Sequence, residues 1–481
     1  MKDSNLIFEK GRDSVSSYSF KLDKSEKDIE KYLPQNILGN DISFMPNISE
    51  GEVLRHFIRL SDRNYGVDSG FYPLGSCTMK YNPKINERVT KNPDFNMHPY
   101  SDNARVQGNL ELIYKCKEAL VKITGMDDMS LAPSAGAHGE LSGLYIIKAY
   151  FKYKKEDRPI ILVPDSAHGT NPASANVAGF KVISVKSDAE GFVDIEDLKS
   201  KTNTQVAAFM LTNPNTLGLF EKNISEIVKI CHALDIQLYY DGANLNAIFG
   251  LSSPGKMGFD VVHLNLHKSF ATPHGGGGPG AGPVGVKKHL KDFLPNEEVV
   301  LKDKYYISKR GELSIGKVRS FYMNFFVVMK AYVYIVAMGK EGFDNVGLMA
   351  LLNANYLAAL LKNDFDIETK NHIMHEFVIS LTKQCEESHI TIMDFAKRIL
   401  DYGYHSPTVS FPLIVHDCLM IEPTETESKE TLEKFAEIMK KIMEEAKKNP
   451  DSLKNSPVNT PIKRIDDVAA ARNPVLKYSG E

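Results

Sequence analysis

The chain has 481 residues, 42% hydrophobic and 25% charged, with a formal net charge of -3; that length predicts about two to four domains and a core large enough to need no covalent staples. The near-even charge balance excludes a basic surface for nucleic acid or an anionic membrane. Five scattered cysteines, Cys77, Cys116, Cys231, Cys385 and Cys418, exclude a disulfide framework and a thiolate zinc site, and no stretch approaches the roughly 18 uncharged apolar residues of a membrane helix.

The start, Met1-Lys2-Asp3-Ser4-Asn5, reads as neither a signal peptide nor an Arg-rich presequence, so a reducing, cytoplasmic location is expected. Residues 1–95 are polar and turn-rich, with one helical segment at 52–60, and read as an N-terminal arm or interface segment. Residues 96–340 form the expected large domain. Apolar residues recur at helical spacing over 102–123 and 139–153. Short apolar runs at 160–163, 181–185, 206–211, 236–240 and 261–264 read as buried strands, with a helix at 225–234 between two of them. Strands alternating with helices predict an α/β fold with a mostly parallel sheet covered on both faces. Ligands of such sheets bind beyond the carboxyl ends of the strands; Asp165, Asn213, Asp241 and His267 all follow such ends.

A long apolar helix at 320–338 is expected to lead into a smaller α+β domain over 341–481. Its elements are helices at 343–361, 392–402 and 428–447 and strands at 376–381, 409–413 and 418–422. The tail 448–481, with Pro457, Pro461 and Pro474, reads as an extended arm.

Lys268 carries the chemistry. It lies in Leu264-Asn265-Leu266-His267-Lys268-Ser269-Phe270-Ala271-Thr272-Pro273-His274, ahead of four glycines, 275–278. A lysine at a strand end is ordinarily a solvated surface group. Here apolar neighbours, two histidines and the glycines favour a partly buried amine, which sheds its proton more readily and becomes a nucleophile. Upstream, Asp241 begins Asp241-Gly242-Ala243-Asn244 after an apolar strand. An aspartate before glycine is common in plain turns. A carboxylate at one strand end and a lysine past the next is also the pairing that pyridoxal phosphate needs. The lysine holds the cofactor covalently, and the carboxylate keeps the pyridine nitrogen protonated. Ala243 is small enough for the ring to lie close to the chain.

The other candidates surround that pair. The loop Pro133-Ser134-Ala135-Gly136-Ala137-His138-Gly139-Glu140 precedes a helix, whose free N–H groups suit a phosphate; the plainer reading is a capping loop with Ser134 as N-cap. His168 falls where a flat side chain would stack on the ring opposite Ala243, although a lone histidine is ordinarily a satisfied polar group. Thr212 and Asn213 are placed to bond the cofactor's phenolic oxygen or the substrate. The glycine run lacks the Gly-Lys-Ser/Thr ending of a P-loop, which excludes a nucleoside triphosphate site. The histidines show no HExxH and no His/Cys cluster, so no metal is expected. Arg319 is unremarked by its context, and the acids of Glu422-Pro423-Thr424-Glu425-Thr426-Glu427 read as a solvated face or a helix cap.

Taken together, these segments resemble the glycine cleavage system P-protein family, in the split form whose C-terminal half is a separate chain. The matching blocks are Tyr72-Pro73-Leu74-Gly75-Ser76-Cys77-Thr78-Met79-Lys80, 135–140, 166–175, 241–247, 263–286, 318–322, 393–427 and Ala469-Ala470-Ala471-Arg472-Asn473-Pro474-Val475. They span most of the chain from about residue 70 to 475. The resemblance implies a fold-type I, aminotransferase-like enzyme that uses pyridoxal 5'-phosphate to decarboxylate glycine and passes the aminomethyl group to the lipoyl arm of H-protein. It implies Lys268 as the cofactor lysine, Asp241 as the pyridinium partner, His168 and Ala243 on the two ring faces, and Gly136 and Ala137 at the phosphate. Asn213 and Asn215 depart from the Tyr and Ser of many full-length members, and residues 1–50 match the pattern poorly. The implied partner is P-protein subunit 1, in a two-plus-two heterotetramer. A positive group is needed to orient the lipoyl arm or the glycine carboxylate, with Lys80, Arg319 and His267 as candidates. Two other classes remain open at this point. One is a different fold-type I enzyme, a cysteine desulfurase or amino-acid decarboxylase; the other is a non-catalytic partner subunit, which would have no need of both Lys268 and Asp241.

Overall fold

The structure is a computed structural model that describes residues 5–12, 32–37, 45–97, 101–275, 278 and 280–476; Gly276 and Gly277 of the glycine run lie outside them. Its main sheet is built from β1 (Asp128–Ser130), β2 (Ile160–Pro164), β3 (Lys181–Val185), β4 (Val206–Thr212), β5 (Gln237–Gly242), β6 (Val261–Leu264) and β7 (Val284–Val286). Their order is β1-β7-β6-β5-β4-β2-β3. Strands β6, β5, β4, β2 and β3 are parallel, and β7 runs antiparallel to both β6 and β1.

Side chains of a strand alternate between faces, and here both faces are buried. Phe209, Leu211, Leu238, Tyr240, Val262 and Leu264 point into one core, closed by the helices Gln107–Thr124 and Ile224–His232. Ala208, Met210, Tyr239 and Val261 point into the other, closed by the helix Gly136–Tyr153. That is why these strands read as unbroken apolar runs. The helix Gly136–Tyr153 packs very close to the chain entering β7: a Cβ on Gly139 would lie 2.3 Å from the Gly282 carbonyl oxygen.

A two-stranded hairpin follows, β8 (Glu298–Lys302) with β9 (Tyr305–Lys309). The two helices expected at 320–338 and 343–361 run on as Phe325–Leu361, broken at Gly339, whose φ of 58° is left-handed. The second sheet is antiparallel, ordered β10 (Asp366–Ile367), β11 (Phe377–Ser380), β13 (Cys418–Ile421), β12 (Thr408–Val409). Its core is closed by the helices Ile392–Asp401 and Lys429–Lys448 through Phe377, Ile379, Leu419, Ile421, Phe395 and Phe435. Strand β12 stops well short of the expected 409–413, because Ser410 takes a left-handed φ of 54°.

By proximity the chain divides into two compact units, Val67–Asn459, which holds every sheet described above, and Met1–Gly66 with Thr460–Glu481. Within the second unit the helix Glu50–Ser61 starts on a capping box, Ser49 accepting from the Glu52 N–H while the Glu52 carboxylate accepts from the Ser49 N–H.

Candidate active site

Register alone assembles the floor of the site. Thr212 of β4 pairs with Asp241 of β5, and Asp241 pairs with His263 of β6. Three polar residues therefore stand side by side at the carboxyl ends of adjacent parallel strands. The chain leaves β6 through Asn265 into the short helix Leu266–Ser269, which carries Lys268. Around them lies a cavity of about 220 Å³ lined by Lys268, Asp241, Ala243, His168, Thr212 and Ala137, with Ser76, Glu140, His263, Asn265 and His267 completing much of its wall.

Asp241 is buried and held on both oxygens. Oδ1 accepts from the Ala243 N–H at 3.0 Å and lies 3.3 Å from His263 Nε2; Oδ2 accepts from Asn171 Nδ2 at 3.0 Å. Burial pushes its carboxyl up, but His263, the Asn171 and Ala243 hydrogen bonds and Lys268 outweigh it, so the acid stays below the ordinary carboxylate range. His263 is fixed in turn by the Tyr239 hydroxyl, 3.0 Å from its Nδ1. The same Asn171 amide links Asp241 to Glu140, from the helix Gly136–Tyr153, whose Oε2 accepts from it at 3.0 Å. Burial raises the Glu140 carboxyl, with Asp241 adding to the effect and His263 opposing it. One buried acid is thus kept ionised and its neighbour is biased toward its protonated form.

The Lys268 ammonium donates to the Ser76 carbonyl at 2.8 Å. Thr212 is buried, and its hydroxyl has no hydrogen-bond partner among the described residues; the same holds for Asn265 Oδ1. Both residues line the cavity. Unsatisfied buried polar atoms are costly, and a polar ligand in this cavity would satisfy them. His168 lies on the exposed side, its Nδ1 3.0 Å from the Thr170 hydroxyl. The helix Gly136–Tyr153 has Ala135 at its N-cap with no side chain capping it, so Ser134 is not the cap; its backbone N–H instead donates to His138 Nδ1 at 3.1 Å. Ala137 faces the cavity, whereas Gly136 is packed under Asn265, with 1.9 Å from a notional Cβ to Nδ2. These features fit a flat, phosphorylated pyridine aldehyde: an amine, a carboxylate, an open helix start and unpartnered polar atoms around one cavity.

Other candidates lie differently. Asn213 turns away from the cavity, accepting from the Glu221 N–H at 2.9 Å and donating to Met257 Sδ at 3.5 Å. Lys80 is fully buried and satisfied by Asn246 Oδ1, the Ser269 carbonyl, the Tyr334 hydroxyl and Glu425 Oε1 at 2.8–3.2 Å. Among these partners, the Ser269 carbonyl belongs to the residue next to Lys268. Arg319 lines a separate apolar groove of about 480 Å³ with Phe95, Met97, Phe321 and Phe325. His267 does line the cavity, but burial, His274 and Lys268 depress it to about 3, so it is a neutral imidazole at physiological pH. None of the three is therefore a free cation in the cavity. Sequence reasoning gave no role to Ser76, Glu140 or His263, although all three lay in the blocks quoted above.

Two family models match: Glycine cleavage system P-protein over residues 20–303 and Glycine dehydrogenase, C-terminal domain over residues 346–464. The chain is 56% identical over 480 residues to a probable glycine dehydrogenase (decarboxylating) subunit 2 of Caldanaerobacter subterraneus subsp. tengcongensis, covering 99% of both chains. It is 55% identical to the protein of the same description from Thermosipho africanus, covering 95% of this chain and 96% of the relative. Among solved structures it is similar to an inhibitor-bound glycine decarboxylase (P-protein) of the glycine cleavage system. The TM-score is 0.71 at 19% identity, over 86% of this chain and 94% of that one. Fold-type I architecture follows from such likenesses.

Proposed function

Because the chain belongs to the glycine cleavage system P-protein family, we propose that its cavity holds pyridoxal phosphate, with Lys268 and Asp241 gripping opposite ends of the ring. The enzyme decarboxylates glycine. The observation that carries the site assignment is the meeting of Lys268, Asp241 and the unpartnered Thr212 hydroxyl around one cavity.

When bound, pyridoxal phosphate supplies an electron-accepting ring that draws off the electron pair left as glycine loses carbon dioxide. The protein's residues do the rest. Lys268 is the residue whose amine would hold the cofactor covalently. Asp241, ionised and fixed from three sides, would keep a proton on the pyridine nitrogen, which makes the ring a stronger electrostatic sink. His168 would cover one ring face, and Ala243 would leave room on the other. Thr212 would donate to the phenolic oxygen. Gly136 and Ala137 would offer the phosphate the N–H groups of a helix start. Neutral His267 beside Lys268 carries no charge with which to hold a carboxylate.

The aminomethyl group is then handed to the lipoyl arm of H-protein. The complete enzyme pairs this chain with P-protein subunit 1 as a two-plus-two heterotetramer in the cytoplasm; among the described residues no helix is long and apolar enough to cross a membrane. A desulfurase reading is disfavoured because Cys385 and Cys418 are buried, and burial raises their thiols to about 12 and about 11. The test is exchange of the glycine carboxyl with labelled bicarbonate, in the presence of the partner subunit and H-protein. Wild type should exchange, and Lys268→Ala should lose both exchange and the absorbance of lysine-bound cofactor; exchange retained by the variant would defeat the assignment.

A further inference from the structure

The Lys268 amine is aimed by a segment whose own support lies in the other sheet. Residues 72–80 run along the edge of the antiparallel sheet: Leu74 bridges Ile421, the Gly75 N–H donates to the Met420 carbonyl at 3.3 Å, and the Glu422 N–H donates to the Pro73 carbonyl at 3.2 Å. Within this segment Ser76 and Thr78 take left-handed φ values of 62° and 48°. That conformation is unfavourable for residues with a Cβ and persists only where the surroundings impose it.

Two buried acids impose it. Strands β11 and β13 pair Phe377 with Ile421, so the preceding Glu376 and the following Glu422 meet at the paired strand ends. Both are fully buried. Glu376 Oε2 accepts from the Ser76 N–H at 2.6 Å, and its Oε1 accepts from Asn244 at 3.3 Å. Glu422 accepts from Thr78 twice, from the N–H at 2.8 Å and the hydroxyl at 2.7 Å. The carbonyl of Ser76, between these anchors, is the acceptor for Lys268. The run that contains Glu422 is not the solvated face that its composition suggests.

We propose that Glu376 and Glu422 are positioning residues for Lys268, locking the left-handed turn at 76–78 and so pointing the Ser76 carbonyl at the Lys268 amine. The functional reading above is needed only to say what Lys268 is for. Charge supports the geometry. Carboxylate oxygens of the two lie within 4.8 Å of each other, and among the described residues their hydrogen-bond donors are neutral, which disfavours ionisation of both. Burial, then Glu422, raises Glu376 well above the usual range, and burial raises Glu422 to about 7 against the Thr78 bonds and Lys268, with Glu425 adding to the rise. The other groups facing the pair are His375, kept neutral by burial and depressed to about 3, and Cys77, raised by burial to about 11. Burial and mutual repulsion thus bias the pair toward keeping a proton, and Glu422 is raised into the near-neutral range.

The test uses the full-length chain without cofactor. An amine-reactive acyl reagent is applied at neutral pH, and the labelling rate at Lys268 is read by peptide mass spectrometry against surface lysines. Glu376→Ala and Glu422→Ala should label Lys268 at least about threefold faster than wild type, because the amine loses its fixed acceptor. Glu376→Gln, the shape of the protonated acid, should label at the wild-type rate. Glu422→Gln should abolish the near-neutral inflection in the pH profile of labelling. If the alanine variants fail to fold, Thr78→Ala, which removes one bond to Glu422, carries the test. Faster labelling supports the proposal, and unchanged labelling in every folded alanine variant overturns it. Absence of covalent cofactor at Lys268 in the loaded wild type would instead count against the functional reading and leave the labelling result standing.

Discussion

Asp241 and Glu140 show how one hydrogen-bonded cluster gives two acids opposite protonation preferences. Asp241 has His263, two donated hydrogen bonds and Lys268 on its side, and Glu140 has mainly desolvation against it. Asp241→Asn keeps the shape and removes the charge that would hold the ring proton. The expected result is protein that still binds the cofactor, seen by absorbance, with kcat for glycine exchange down by about 10²-fold or more; an unchanged kcat would detach Asp241 from the chemistry. At this scale the strand-end rule named Asp165, Asn213, Asp241 and His267; Asp241 and His267 line the cavity, whereas Asp165 accepts from Ser187 and Asn213 turns to the Glu221 N–H. Lys80 and Arg319 could not be sorted from their neighbours alone, since burial and partners are tertiary facts. Glu376 and Glu422 were missed for the same reason: an acid beside a strand ordinarily reads as solvated.

The parallel strands declared themselves as unbroken apolar runs because both of their faces are covered. β1 and β7 did not, being three residues each, and the β8–β9 hairpin, Glu298–Lys302 with Tyr305–Lys309, was passed over despite its valines and tyrosines. β12 is short because Ser410 leaves extended geometry, which nothing in an apolar count registers. The antiparallel sheet carries a measurable pH signature. Burial raises the pKa of Glu422 from 4.5 to about 7 in the folded chain. The folded state therefore keeps a proton that the unfolded chain has shed, so this contribution is fully present below about pH 4.5 and is lost as pH rises through about 7. The loss is on the order of 3 kcal/mol. Urea melts of wild type and Glu422→Gln across that window should diverge: wild type falls in stability relative to the variant as pH rises. Parallel curves would show that Glu422 titrates normally.

Two hydrophobic cores flank the parallel sheet, and another closes the antiparallel one. The cavity stands at the carboxyl ends of β4, β5 and β6, with the 72–80 segment contributing Ser76 from the edge of the antiparallel sheet. Whole-molecule architecture was legible as alternating and then mixed elements. The reliance of Lys268 on acids in the other sheet was not, because residues about 190 and 110 positions from it (Ser76 and Glu376) are brought together only by folding. The most direct measurement is borohydride reduction of cofactor-loaded protein followed by peptide mapping. The account predicts a single pyridoxyl adduct on Lys268, lost if the cofactor is omitted. An adduct on another lysine, or none on a fully loaded protein, would contradict it.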